Sequence, residues 1–83
     1  VAKFELGDNQ GAIMDFNRAI AINPQDAESY SNRGAVKLAI GDRSGAIDDL
    51  NQGARLFRQQ GEMTSYQKTI DLVRQASQKQ GKR

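Results

Sequence analysis

The sequence predicts an all-α fold built of repeated helical hairpins, and three observations carry that expectation. Displaced by 34 residues, the chain falls on itself, with Gly7 on Gly41, Asp8 on Asp42, Gly11 on Gly45, Ala12 on Ala46, Ile13 on Ile47, Asp15 on Asp49 and Asn17 on Asn51. A period of that length marks a helical-repeat architecture and governs how every later motif is interpreted. Apolar residues recur three and four apart, the helical period, and no stretch alternates as a strand does. Gly-Asp occurs twice between periodic segments, where the glycine supplies a left-handed stop and the pair marks a turn between helices.

Of the 20 pairs formed by residues 7–26 with residues 41–60, eight are identical. Phe16 opposite Leu50 and Ile22 opposite Leu56 keep apolar character where identity fails. Residues 27–60 therefore form one complete helix-turn-helix unit, and residues 1–26 an earlier, truncated copy.

Taken in order, residues 1–6 have the composition of the last turns of a helix, with Gly7 as its stop and Gly7-Asp8-Asn9 as a turn. A helix over residues 10–22 places Ala12, Phe16, Ala19 and Ile20 on one face, with Ile13 beside them. Asn23-Pro24 ends it, because the residue before proline is pushed out of the helical region. Asp26 caps a helix over residues 27–40 that packs through Tyr30, Gly34, Leu38 and Ile40, and Gly34 admits a neighbouring helix at short range. After the turn at Gly41-Asp42, a helix over residues 44–57 offers Ala46, Ile47, Leu50, Ala54 and Phe57 to the core, and Gly61 supplies the next stop. Met63, Tyr66, Ile70 and Val73 then form a single apolar stripe on residues 61–79, with Gln67, Lys68, Asp71 and Arg74 on the water side. One apolar and one polar face are what the end cap of a repeat stack requires. Residues 80–83 form a tail.

The period and the residue types resemble the tetratricopeptide repeat. The resemblance rests on Tyr30 opening a first helix, Gly34 a turn later, Gly-Asp between helices, small residues at Ala12, Ala46 and Ala19, large ones at Phe16 and Leu50, and Pro24 closing a repeat. It implies a right-handed solenoid of helical hairpins, about one and three-quarter repeats plus a capping helix. Departures are Gly53 where alanine is usual, Arg58 where the closing proline would stand, and a first repeat without most of its first helix. The last, with an opening Val1, leads us to expect a piece of a longer array. On the same grounds Gly53→Ala is expected to stabilise and Gly34→Leu to damage.

Composition removes whole classes of chemistry. The 83 residues hold no Cys and no His, so disulfides, zinc sites of the usual type, thiol nucleophiles and imidazole bases are not available. We expect no enzyme, no metal and no cofactor. Asp48 and Asp49, adjacent on a helix, point about 100° apart and are expected on a solvated face. Gly7, Gly11, Gly41 and Gly45 lack the preceding strand and the Gly-Lys-Ser/Thr of a phosphate loop. No run reaches the roughly 20 apolar residues of a membrane span, so a soluble, cytoplasmic chain without membrane contact is expected. Charge divides as −3 over residues 1–51 and +5 over residues 52–83. A solvated basic helix face accounts for that better than nucleic acid does.

The resemblance implies a non-catalytic interaction module that binds a peptide or partner protein in a concave groove lined by first helices. Its candidates here are Glu28, Ser31, Asn32, Ala35, Leu38 and Ala39. Tyr30-Ser31-Asn32-Arg33 is similar to repeats that grip the C-terminal carboxylate of chaperone tails, with Asn32 as the hydrogen-bonding residue. Glu62 and Tyr66 stand where that clamp needs Lys and Arg on the next repeat's first helix, so Asn32 is read as a generic groove residue rather than a clamp residue. The alternatives are self-association through the truncated end, forming a homo-oligomer, and, less favoured, RNA binding by a helical-repeat segment.

Overall fold

The computed structural model describes residues 4–78, with side chains from residue 8 onward. Four helices follow one another: α1 (Phe4–Ile22), α2 (Ala27–Ala39), α3 (Arg43–Gln59) and α4 (Met63–Ser77), and no strand occurs among the described residues. The fold is all-α and of the helical-hairpin repeat type. Val1 and residues 80–83, on which two sequence expectations fall, lie outside the described residues.

Two of the turns share one construction. Gly41 at φ +91° and Gly61 at φ +77° each follow a helix whose last carbonyls are closed by the backbone amides just beyond it. The Gly41 amide donates to Leu38 and the Asp42 amide to Lys37; likewise the Gly61 amide donates to Arg58 and the Glu62 amide to Phe57. This paired closure is the Schellman arrangement, and the glycine is there because its backbone sits in the left-handed region. Asp42 then caps α3 by accepting the Gly45 amide at 3.0 Å. Asp26 caps α2 as the sequence predicts, accepting both the Ser29 amide and the Ser29 hydroxyl.

The expected turn at Gly7-Asp8-Asn9 does not form, and α1 runs through it as continuous helix. The turn at Gly41 is held by α2 packing on α3. Ahead of Gly7 no described segment packs back across α1, so each further residue gains a helical hydrogen bond and the helix propagates.

The core sits on α3, which packs against both α2 and α4. Ala46 and Leu50 are fully buried, and Ala54 and Leu56 are 3% exposed. Phe57 and Leu56 join Ala27 in a cluster flanked by Tyr30 and Tyr66. Gly34 has the purpose expected of it: a Cβ there would stand 2.8 Å from Leu50 Cγ and 3.1 Å from the Ala46 carbonyl oxygen. Gly53 turns out to be a contact glycine as well. Its Cβ would meet the Ser31 amide nitrogen at 3.0 Å and the Ala27 carbonyl oxygen at 3.2 Å, so the sign of an alanine substitution depends on whether α2 can give way by a few tenths of an ångström.

Three further expectations change. Ile40, assigned to the core, is the 46% exposed cap residue of α2. On α4 the stripe is rotated, with Thr69 and Ala76 buried and Met63 53% exposed. Tyr66, Ile70 and Val73 of the expected stripe are half-buried beside them, and the small side chains of Thr69 and Ala76 sit where α4 is most fully covered. Asp49, expected in solvent, is 6% exposed.

Candidate functional site

The α2–α3 hairpin and α4 together form a groove with α2 and α4 as its walls. Glu28, Ser31 and Asn32 from α2 face Ser65, Lys68, Thr69 and Leu72 from α4 across a cleft of about 280 Å³, which Phe57 of α3 also lines. The two walls are joined by a buried polar contact: Thr69 Oγ1 donates to the Ser65 carbonyl at 2.8 Å and lies 3.1 Å from Ser31 Oγ. With the Thr69 proton already committed, the Ser31 hydroxyl donates to Thr69. A second cleft of about 420 Å³ adjoins the first through Glu28, Phe57 and Ser65, and Asp26 and Glu62 give it an acidic lining.

The six sequence candidates are distributed unevenly. Glu28 and Asn32 are exposed on the groove wall, whereas Ser31 is 9% exposed with its hydroxyl engaged by Thr69. Ala35 and Leu38 are half-buried and Ala39 is exposed, all outside both cleft linings. The α4 wall was missed, and its signal lay in the turns. α3 extends to Gln59, and its closing Gln60-Gly61-Glu62 is one residue shorter than Asn23-Pro24-Gln25-Asp26. The helix-opening residue moves from Asp26 to Glu62, so the spacing between first helices is 36, not 34. Counted from those caps, Asn32 corresponds to Lys68 rather than Tyr66, and both line one cleft. Lys68, expected on the water side, is exposed there.

Beside the groove lies an ionic cluster that ties three helices together. Arg33 Nε and Nη2 donate to the two Asp49 carboxylate oxygens at 2.7 and 2.8 Å, and Lys37 Nζ lies 3.0 Å from Oδ2. The remaining Arg33 donor, Nη1, reaches Asn17 Oδ1 on α1 at 2.7 Å, and the guanidinium stands 5.5 Å from the Tyr30 ring centroid. Burial pushes the Asp49 carboxyl up, but the hydrogen bonds and charges of Arg33 and Lys37 outweigh it and hold the group below its ordinary value. Arg33 is raised, chiefly by its hydrogen bond to Asp49. The conserved register of Asp15 on Asp49 within this chain was the available signal, together with Arg33 and Lys37 one turn apart.

Among the described residues no group of three acidic side chains could hold a metal ion, and no helix is long and apolar enough to cross a membrane. No curated protein and no solved structure matches the chain. Residues 2–41 match the family model described as TPR repeat, a stretch that contains all of α1 and α2 and the glycine of the following turn. This family is in general a non-catalytic scaffold that engages protein partners. Residues 2–41 thus carry a tetratricopeptide repeat, and α3, the 34-residue copy of α1, follows the matched stretch.

Proposed function

We propose that the α2–α4 groove holds an extended segment of a partner protein, and that Asn32 and Lys68 together receive a carboxylate on that segment. The observation that carries this reading is the 36-residue spacing, which brings an amide and an ammonium group to one cleft. Neither side chain has a protein partner among the described hydrogen bonds and ion pairs, so both are free to bind. Asn32 offers a directional donor and Lys68 a compact charge. Ser31 and Thr69 form the sealed floor beneath the segment, and Glu28 marks the acidic end of the groove.

A titration of the isotope-labelled chain with peptides ending in a free carboxylate, and with the same peptides amidated, tests this. Amide shifts are expected at Asn32, Ser65 and Lys68, and both amidation and Lys68→Ala should weaken binding about tenfold, the loss of one charge-assisted contact. Equal binding of the amidated peptides, or shifts away from both groove walls, would overturn it.

A further inference from the structure

We infer, resting on the carboxylate reading above, that the buried hydroxyl pair Ser31 and Thr69 is the positioning contact of the groove, setting the register in which Asn32 and Lys68 meet one carboxylate. Ser31 directly precedes Asn32 on α2, and Thr69 directly follows Lys68 on α4. In each wall the exposed ligand and the buried hydroxyl are therefore chain neighbours. A shift of either helix that moves its ligand also moves its hydroxyl. The two oxygens stand 3.1 Å apart, with Thr69 2% and Ser31 9% exposed, so the contact is made where water does not compete for it.

Direction is what this contact adds. α4 packs chiefly on α3 and touches α2 far less. Its packing on the hairpin includes Tyr66 against the cluster of Leu56 and Phe57, and apolar burial is non-directional, so it holds α4 in place more firmly than it fixes the helix's rotation. A hydrogen bond weakens steeply with angle and distance and supplies the missing constraint. Thr69 is suited to it, because Oγ1 also donates to the Ser65 carbonyl of its own helix at 2.8 Å, which fixes the side-chain rotamer and leaves the oxygen's lone pairs for Ser31. The α2 end is anchored in turn by Gly53, which admits the Ser31 backbone at short range. Among the described residues this is the one hydrogen bond or ion pair between α2 and α4. A carboxylate shared by Asn32 and Lys68 needs both walls at one separation. A support already formed in the free chain spares the ligand the cost of ordering them.

The intact parent is compared with Ser31→Ala/Thr69→Val, which removes both hydroxyls together and so leaves neither one buried without a partner, and with Thr69→Ser, which keeps the bridge. Each is titrated with a peptide ending in a free carboxylate and with its amidated form. The parent should prefer the free carboxylate about tenfold. The double variant should bind both peptides as the parent binds the amidated one, because its walls are present but out of register, whereas Thr69→Ser should keep the preference. A role in stability alone would lower both affinities together and spare their ratio. Circular dichroism confirms that each variant is folded; if the double variant is not, Ser31→Ala alone carries the same expectation. A double variant that keeps the tenfold preference overturns the positioning role and leaves the carboxylate reading standing. A parent without preference brings down that reading instead, and the positioning role is then decided without peptide. Residual dipolar couplings of the α2 and α4 amides should fit one rigid orientation in the parent and two in the double variant, and a single unchanged orientation in both would overturn it.

Discussion

Residues 7–26 and 41–60 share eight of twenty residues in register, yet the helix of the second segment, α3, forms the centre of the core and that of the first, α1, its margin. Gly41 makes a left-handed turn ahead of α3, whereas Gly7, its counterpart, lies inside α1 as ordinary helix. Ala46 is fully buried and Ala12 half-buried; Leu56 is inside and Ile22 in solvent. The residues are the same in kind, so their fate is decided by what lies on either side. α3 is covered by α2 and α4, whereas α1 is covered by α2 alone. In a repeat stack an interior position is a property of the neighbours as much as of the residue.

The most severe way to test that comparison is to make α3 resemble α1 by removing its second cover. Deleting residues 62–83 uncovers the cluster of Leu56 and Phe57 on the side where Tyr66 packs. Each large side chain returned to water costs roughly 1.5–3 kcal/mol, against a total stability of about 5–15 kcal/mol for a small domain. The truncated chain is expected to unfold or aggregate in urea denaturation and light scattering. A monomer as stable as the parent would show that two-sided cover is not what makes α3 the core.

Single truncations sharpen the same contrast. Leu50→Ala empties a site with no solvent exposure and is expected to cost about 3 kcal/mol, a loss in the usual range for a buried leucine. Phe16→Ala, at the matching half-buried position on α1, should cost about 1 kcal/mol despite the larger side chain removed. Equal losses in chemical denaturation would mean that α1 is better covered than its exposed Ile22 indicates.

How far the fold was legible follows from the same physics. Helix identity, the Gly41 and Gly61 stops, the Asp26 cap and the Gly34 contact are local or strictly periodic, and the sequence alone sufficed for them. The Gly7 turn failed because a turn in a hairpin depends on an arm that packs across it. The α4 stripe was legible in Tyr66, Ile70 and Val73, which are half-buried, but missed Thr69 and Ala76, because apolar spacing gives a face to within about a residue while close packing selects small side chains. For the groove, one wall was legible and the other was misregistered by two residues, since α3 and its closing turn together lengthened the spacing. Asp49 could not be placed from composition, because an aspartate enters the interior only where specific partners meet it, and those partners stand on another helix.

The paired aspartates give a smaller, cleaner contrast. Asp49→Ala leaves Arg33 and Lys37 without their shared acceptor and is expected to cost about 3 kcal/mol, as breaking a buried pair does. Asp15→Ala removes only a 3.7 Å contact with Arg18 in which both side chains are mostly exposed, and should change stability by less than about 0.5 kcal/mol. The sign of the pH effect follows. Asp49 is held below its ordinary value of 3.8, so its contribution is complete above that value and is lost as pH falls through the folded-state pKa. Stability should decline below about pH 4 in the parent, and the decline should be shallower in Asp49→Asn. An acid limb of equal slope in both proteins would sink the assignment.

The smallest effect separates the two helices at the position where α3 has Gly53 and α1 has Ala19. In an isolated helix Gly53→Ala would gain up to about 1 kcal/mol, because alanine restricts the unfolded chain and favours helix. Here the added Cβ lies 3.0 Å from the Ser31 amide nitrogen and 3.2 Å from both the Ala27 carbonyl oxygen and Ser31 Cβ. Two of these three atoms are backbone of a packed helix, so relief requires α2 to move away from α3 rather than a side chain to rotate. That movement would lengthen the Ser31–Thr69 contact at the groove floor and loosen the Leu50 packing under Gly34. The packing loss is expected to outweigh the helical gain by less than about 1 kcal/mol, a fall of a few degrees in melting temperature. Ala19→Gly, at a half-buried site on α1, should lose chiefly the helix-propensity difference, roughly 0.5–1 kcal/mol. Thermal denaturation of both variants decides the matter: if Gly53→Ala melts higher than the parent, α2 and α3 have slack at their crossing, and the tight contact that distinguishes α3 from α1 is not a source of stability.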